Sequence, residues 1–320
     1  MNPTARILET PSGVIRFPAY IPVTTFGAKY PLDALIQPYL PRLSQAVMVS
    51  HHYARQMTKR PRLPLLIDSG GFAALFEGSV IHDTDGFGIL EIGTGDAKES
   101  LHPKAVLEFQ EQHADVAFTL DFPIPPDLPR AEALRRQRLT VGNAIWAFKN
   151  RRRREMRLYA CIQAWDPQSA ATCAAELAQY PFDGFAIGGL VPRAKDWDLI
   201  QSIVDAVQQE IGESPLHVFG LGKPETTARL FSMGVDSVDS SSYVKLAADG
   251  RLWSRPDYRL EDPATLDRLQ LAITNLATAT QTSLPISIQA KTQFKQPLCG
   301  TTEVLPRMGH KEDASEHHPW

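Results

Sequence analysis

Eight short apolar runs recur along the first 241 residues, and they constrain the fold more than any single motif does. They are FPAYIPV (17–23), QAVMVS (45–50), PLLIDSGG (64–71), DVAFTLD (115–121), RLYACIQ (157–163), GFAIGGL (184–190), PLHVFGLG (215–222) and VDSVDSS (235–241). Their near-continuous apolar character, without strict alternation, fits strands of a parallel sheet covered on both faces. Helix-like segments lie between most of them, at 103–114, 129–152, 169–180, 196–211 and 224–234. Eight such units predict a (β/α)₈ TIM barrel. A doubly wound open sheet is the rival, but no G-x-G-x-x-G turn follows the first strand.

Segment 76–100 carries Gly and Asp turn signals between short alternating runs, and it predicts a β-hairpin inserted after strand three. After Thr282 the sequence turns polar and loses periodicity. The expected organisation is a barrel with a short helical extension over 1–282 and a disordered tail over 283–320. No stretch of 18 apolar residues occurs and the N-terminus lacks a leader pattern, so the expected setting is the cytosol, with no membrane partner. Three widely spaced cysteines (Cys161, Cys173, Cys299) give no C-x-x-C pair, so neither a disulfide scaffold nor a metal site is expected.

In a barrel of this kind the site lies at the C-terminal ends of the strands. Strand three closes on Asp68-Ser-Gly-Gly-Phe72, strand four on Asp121, strand five on Gln163, strand six on Gly188-Gly189-Leu190 and strand eight on Asp239. Three carboxylates and no strand-end lysine disfavour Schiff-base chemistry and suit cleavage at an anomeric carbon. One carboxylate traps the carbon while another manages the leaving-group proton. The glycines let backbone approach a flat ligand, and Phe72 is placed to stack on it. Each feature also has a plain reading: a strand-end Asp is often a helix cap, and Gly-Gly is often a turn or a phosphate cradle. His51 and His52 should point apart, leaving at most one for the site.

Net charge is −3, so any polyanion must meet a local patch. Between Arg130 and Arg157 stand ten Arg or Lys against two Glu. A solvated helix face is the ordinary explanation of such a run. Its density nonetheless makes Arg151, Arg152, Arg153 and Arg154 candidates for contact with a nucleic-acid backbone.

Taken together, D-S-G-G-F (68–72), Leu120-Asp121, Ile162-Gln163, A-I-G-G-L (186–190), F-G-L-G-K-P (219–224) and G-V-D-S-V-D (234–239) resemble the tRNA-guanine transglycosylase superfamily in order and spacing over residues 14–253. The resemblance implies a (β/α)₈ barrel that exchanges guanine in a polynucleotide for a 7-deazaguanine, without a cofactor. It implies that Asp239 is the nucleophile on C1′ and Asp68 the general acid and base. Phe72, Asp121, Gln163 and the Gly188-Gly189-Leu190 segment would bind the base.

Several positions depart from the family pattern. Only Cys299 follows the barrel where the family's zinc subdomain needs three cysteines and a histidine. Ser240-Ser241-Ser242 replaces the Pro-Thr-Arg associated with anticodon-loop contact, and Ala164-Trp165 replaces Gly-Gly after Gln163. The Gly-Glu associated with aminomethyl-base recognition is missing from Val191-Pro-Arg-Ala-Lys195. These departures favour DNA over tRNA as the polymer and a 7-cyano over an aminomethyl base. The alternatives are a tRNA enzyme, a non-catalytic nucleic-acid-binding partner subunit of one, or a generic sugar-phosphate barrel. A homodimer or a partner protein remains open.

Overall fold

The computed structural model describes residues 6–25, 31–93 and 98–284. Preceding the barrel, β1 (Ile7–Thr10) and β2 (Gly13–Arg16) form an antiparallel hairpin. The eight expected runs then become β3 (Ala19–Pro22), β4 (Val47–Ser50), β5 (Leu65–Asp68), β9 (Val116–Phe118), β10 (Arg157–Gln163), β11 (Gly184–Gly188), β12 (Leu216–Val218) and β13 (Ser237–Ser240). They make one sheet of order β3-β13-β12-β11-β10-β9-β5-β4, every pairing parallel. A parallel bridge between Val23 and Met48 joins the two ends, with Thr24 N–H donating to the Met48 carbonyl at 2.9 Å. The barrel reading holds.

Helices cover the outside because their apolar residues fall on one stripe. In α7 (Trp197–Ile211) the buried positions are Ile200, Ile203, Val204, Val207 and Ile211, and Asp196 caps the first turn by accepting from Leu199 N–H at 3.1 Å. In α6 (Pro167–Leu177) Asp166 and Ser169 cap each other's backbone. Further cover comes from α4 (Pro103–His113), α5 (Arg130–Asn150), α8 (Pro224–Ser232), α9 (Ser242–Ala248) and α10 (Thr265–Thr280), the last being the expected helical extension. Short helices α1 (Pro31–Ile36), α2 (Leu40–Leu43) and α3 (His51–Ala54) complete the set. From Pro285 onward the expected tail, with Cys299, lies outside the described residues.

The insertion gains one element over the expected hairpin. β6 (Val80–Thr84) and β7 (Phe87–Ile92) pair as anticipated, and β8 (Glu99–Leu101) adds a third antiparallel strand. Its apolar face (Ile81, Leu90, Leu101) joins Val106, Leu120, Phe122 and Leu139 in a cluster outside the barrel. The hairpin β1-β2 is the other addition. Leu8, Ile15 and Phe17 pack with Ile21, Met48, Leu66, Phe118, Tyr159 and Cys161, which closes the N-terminal mouth with apolar surface.

That floor also explains the arginine run. Asp115, Asp183 and Asp236 each accept a backbone N–H from the first residues of a neighbouring strand: Leu65 at 2.8 Å, Leu158 at 3.0 Å and Leu216 at 2.8 Å. Each is also paired with arginine, namely Arg60, Arg151 together with Arg157, and Arg6. Arg151 is buried, and Arg153 Nη1 donates to the Glu111 and Ala114 carbonyls at 3.0 Å each. Seven-residue β10 separates this end from Gln163 by about 20 Å, at ~3.3 Å per residue. The residues expected at a nucleic-acid backbone, Arg151–Arg154, thus lie away from the C-terminal strand ends. The run sits at the opposite mouth; Arg151 and Arg153 hold the floor together, while Arg152 and Arg154 face solvent there.

Asp183→Ala should destabilise the fold by about 3 kcal/mol or more, because it leaves Arg151 buried without its counter-charge. Arg154→Ala, an exposed change in the same run, should stay within about 0.5 kcal/mol. Urea unfolding of the two variants checks the contrast.

Candidate active site

At the C-terminal mouth the strand ends bring Asp68, Asp121, Gln163, Gly188, Gly189 and Asp239 together. Asp68 closes β5, and the N–H groups of Ser69 and Gly70 donate to its carboxylate. Those two bonds do not offset its surroundings. Burial, followed by the charges of Asp121 and Asp239, pushes Asp68 up to about 7.

Asp121 follows β9 on a loop anchored on both sides. Asn143 Nδ2 of α5 donates to the Leu120 carbonyl at 3.0 Å, and Phe122 N–H donates to Thr140 Oγ1 at 3.0 Å. Asn143 Oδ1 also accepts from Gly88 N–H at 2.8 Å, so the insertion and the Asp121 loop share one anchor. The carboxylate accepts from Ser69 Oγ at 2.9 Å and from Gln163 Nε2 at 2.6 Å. Burial raises its pKa while those bonds oppose the rise.

Gln163 spends its amide N–H on Asp121, which leaves Oε1 buried without a donor. An unpaired buried acceptor is costly unless a ligand supplies the donor. The backbone around it must be glycine. A Cβ on Gly188 would lie 2.1 Å from Gln163 Nε2, and one on Gly189, whose φ is +77°, would lie 3.1 Å from Oε1. Gly71 is equally constrained, since its Cβ would lie 1.9 Å from the Asp121 carbonyl oxygen. The Leu190 side chain is fully buried, so only its backbone is available to a ligand. Phe72 is 40% exposed on the turn Gly71–Leu75, edge-to-face with Phe76 at 6.1 Å, which places an aromatic ring at the rim.

Asp239 lies on β13 with one oxygen immobilised. Oδ1 accepts from Gly220 N–H at 3.0 Å and faces His217 Nε2 at 3.1 Å. Facing a carboxylate, Nε2 carries a proton and donates, and His217 Nδ1 meets Ser237 Oγ at 2.8 Å. The imidazole is fully buried, 5.1 Å from the Phe118 ring and 4.9 Å from Phe219. Oδ1 is thus held by two donors, and among the described residues no hydrogen bond reaches Oδ2.

Sequence reasoning missed His217, because it sits inside an apolar run and not at its end. The usable signal was a single polar residue at the inward position of Leu216-His217-Val218 in a closed barrel. Ser69, inside the D-S-G-G-F motif, bridges the Asp68 turn to Asp121. His51 and His52 do diverge: His51 is buried against Phe109, while His52 reaches toward Glu99 at 3.6 Å. Burial and Arg55 push His51 down to about 4. Among the described residues no group of three or more His, Cys, Asp or Glu is arranged to hold a metal, and no helix is long and apolar enough to cross a membrane.

The family model described as queuine tRNA-ribosyltransferase matches residues 4–291. The tRNA-guanine(15) transglycosylase of Methanothermobacter thermautotrophicus is 28% identical over 262 residues, covering 80% of this chain and 38% of that protein. The Pyrococcus furiosus protein of the same name is 27% identical over 263 residues, covering 80% and 43%. That of Thermococcus onnurineus is 30% identical over 181 residues, covering 55% and 30%. This chain thus spans less than half the length of each of these relatives.

The Asp68 carboxyl holds its proton up to about pH 7 in the fold, against an ordinary value of 3.8 when unfolded. Between those values the folded state binds more protons than the unfolded one. The group's contribution to stability therefore falls as pH rises from about 4 to 7 and is level above that. Urea midpoints measured across this range should show wild type losing stability relative to Asp68→Asn. A pH-independent difference would contradict the assignment.

Proposed function

The chain belongs to the queuine tRNA-ribosyltransferase family, and we propose that it exchanges a guanine base of a polynucleotide for a free 7-deazaguanine. The observation that carries this reading is the pairing of an oriented carboxylate, Asp239, with a second carboxyl, Asp68, poised near neutrality in the same mouth. Asp239 Oδ2 attacks C1′ as the C1′–N9 bond breaks, and the bonding pair leaves with the base. The departing base takes its proton from Asp68. The incoming base then loses its N9 proton to Asp68 and attacks C1′, which expels the Asp239 carboxylate and restores both residues. Two displacements retain the configuration at C1′. A general acid that must also serve as a base works best near the operating pH, which is where burial and like charge hold Asp68.

Recognition of the base follows from what is unpaired. Guanine offers donors at N1 and N2 and an acceptor at O6, and the mouth offers acceptors at Asp121 and at the orphan Gln163 Oε1. Gly189 N–H supplies the donor for O6, and Phe72 covers one face of the ring.

For the polymer, the relatives favour tRNA. Their names place the target at guanine 15, so the missing Pro-Thr-Arg, tied to anticodon contact, no longer argues against tRNA.

Incubation with radiolabelled guanine and either unmodified tRNA or duplex DNA tests the proposal. Label should enter tRNA, and Asp239→Ala should lower the rate by at least about 10³-fold, the scale of deleting a nucleophile. Label in DNA alone would move the polymer assignment, and label in neither would overturn the exchange reading. His217→Phe should lower kcat by about 10²-fold with KM little changed, since it removes one of two donors aligning the attacking carboxylate.

A further inference from the structure

The basic stretch from Arg130 to Arg157 runs from one mouth of the barrel to the other. Helix α5 carries most of it over 21 residues, about 30 Å at ~1.5 Å per residue, from the loop after β9 down to the floor. The lower arginines belong to the floor, but the first residue of the helix, Arg130, stands at the level of the strand ends. Its neighbours on α5 are engaged within the fold. Arg135 donates to Glu132 and to the Ile81 carbonyl, Arg136 donates to Glu132 at 3.0 Å and to the Pro123 carbonyl at 2.7 Å, and Arg138 pairs with Asp83. Arg130 differs. Its side chain is 61% exposed, its contact with Asp166 is open at 3.6 Å, and its guanidinium carbon lies 4.3 Å from the centroid of the Trp165 ring. At that distance the Asp166 contact is not a hydrogen bond, and Asp166 Oδ1 already accepts from Ser169 N–H at 2.7 Å.

Trp165 follows Gln163 by two residues, so its Cα lies within about 7 Å of the Gln163 Cα. It stands where the family pattern has glycine. Its backbone N–H donates to Ser169 Oγ at 3.1 Å, and the buried Gln137 of α5 donates to the Gln163 carbonyl at 2.6 Å and the Ser169 carbonyl at 3.0 Å. Helix α5, the Gln163 loop and the start of α6 therefore form one tied corner, and the Arg130–Trp165 pair is built on it. The half-buried indole has its Nε1 enclosed, and among the described residues this donor meets no acceptor. Such a donor is costly unless a ligand supplies the oxygen. A guanidinium resting on an indole is already oriented, so it loses less freedom on meeting a phosphate than a solvated arginine does.

We infer that Arg130 and Trp165 form a subsite for the nucleotide beside the target guanine, with the Arg130 guanidinium on its phosphate and the indole Nε1 donating to an oxygen of the same nucleotide. This rests on the base-exchange reading above. Drawing one base into the mouth leaves the adjoining phosphodiesters on the rim, and the rim next to Gln163 is this pair. The contact carries charge and a planar surface but no base edge, so it positions the polymer without reading its sequence.

Binding of the full chain to unmodified tRNA across a salt series from about 50 to 200 mM tests the subsite, with duplex DNA in its place if wild type binds that more tightly. Arg130→Gln should weaken binding about tenfold at the lowest salt and reduce the slope of log Kd against log salt by about one. Trp165→Gly should weaken binding several-fold with the slope kept, because the charge remains. In the exchange assay Arg130→Gln should raise KM for the polymer and leave kcat unchanged. Arg154→Ala, which removes an exposed cation at the opposite mouth, should match wild type in affinity and slope. Calorimetric titration with guanine reports whether each variant keeps its base site; if Trp165→Gly loses it, Arg130→Gln against Arg154→Ala decides. Wild-type affinity and slope in Arg130→Gln, an equal loss in Arg154→Ala, or wild type that binds guanine but neither polymer would overturn the subsite alone. Wild type that binds no guanine would overturn the base-exchange reading beneath it.

Discussion

Three carboxyl groups share one desolvated barrel mouth, and the difficulty of ionising them together organises the rest of the site. Asp121 is tied by Ser69 and Gln163, and Asp239 by Gly220 and His217. Asp68 has only two backbone N–H groups, and it rises to about 7. The group pushed up in this way is the one whose proposed role is to give up a proton and recover it. The same crowding accounts for the buried polar residues behind the mouth, because a carboxylate denied water needs fixed donors in its place.

The two ends of the barrel use acidic residues in opposite ways. On the floor Asp115, Asp183 and Asp236 each face an arginine and a strand N–H, so charge is neutralised and strand starts are pinned. At the mouth neither Asp68 nor Asp121 has an arginine or lysine partner among the described residues. Paired charges make a rigid frame, and unpaired ones at the other end keep chemistry available. The Asp121 loop is fixed from behind the strand end: the three-stranded insertion and α5 meet at Asn143, which holds it.

The frame and most of the site were legible in the sequence because a barrel writes its chemistry at the ends of apolar runs. Asp68, Asp121, Gln163, Gly188, Gly189 and Asp239 all stand at such ends, and all converge. What escaped was set by long-range geometry. His217 lies inside a strand, and its proximity to Asp239 depends on the β12-β13 register. The hairpin at the floor escaped because its few inward residues, Leu8 and Ile15, gain an apolar partner only once the barrel exists. The place of the arginine run was illegible for the complementary reason: composition reports charge but not which end of a strand it flanks.

The account turns on covalent capture of the sugar by Asp239 while Asp68 handles the proton. The most direct measurement is to hold the protein with its polynucleotide, in the absence of incoming base, and to map any protein-bound nucleotide by mass spectrometry after protease and nuclease digestion. The account predicts an adduct on the peptide that contains Asp239 and its disappearance in Asp239→Ala. An adduct on Asp68, or turnover with no adduct at all, would contradict it.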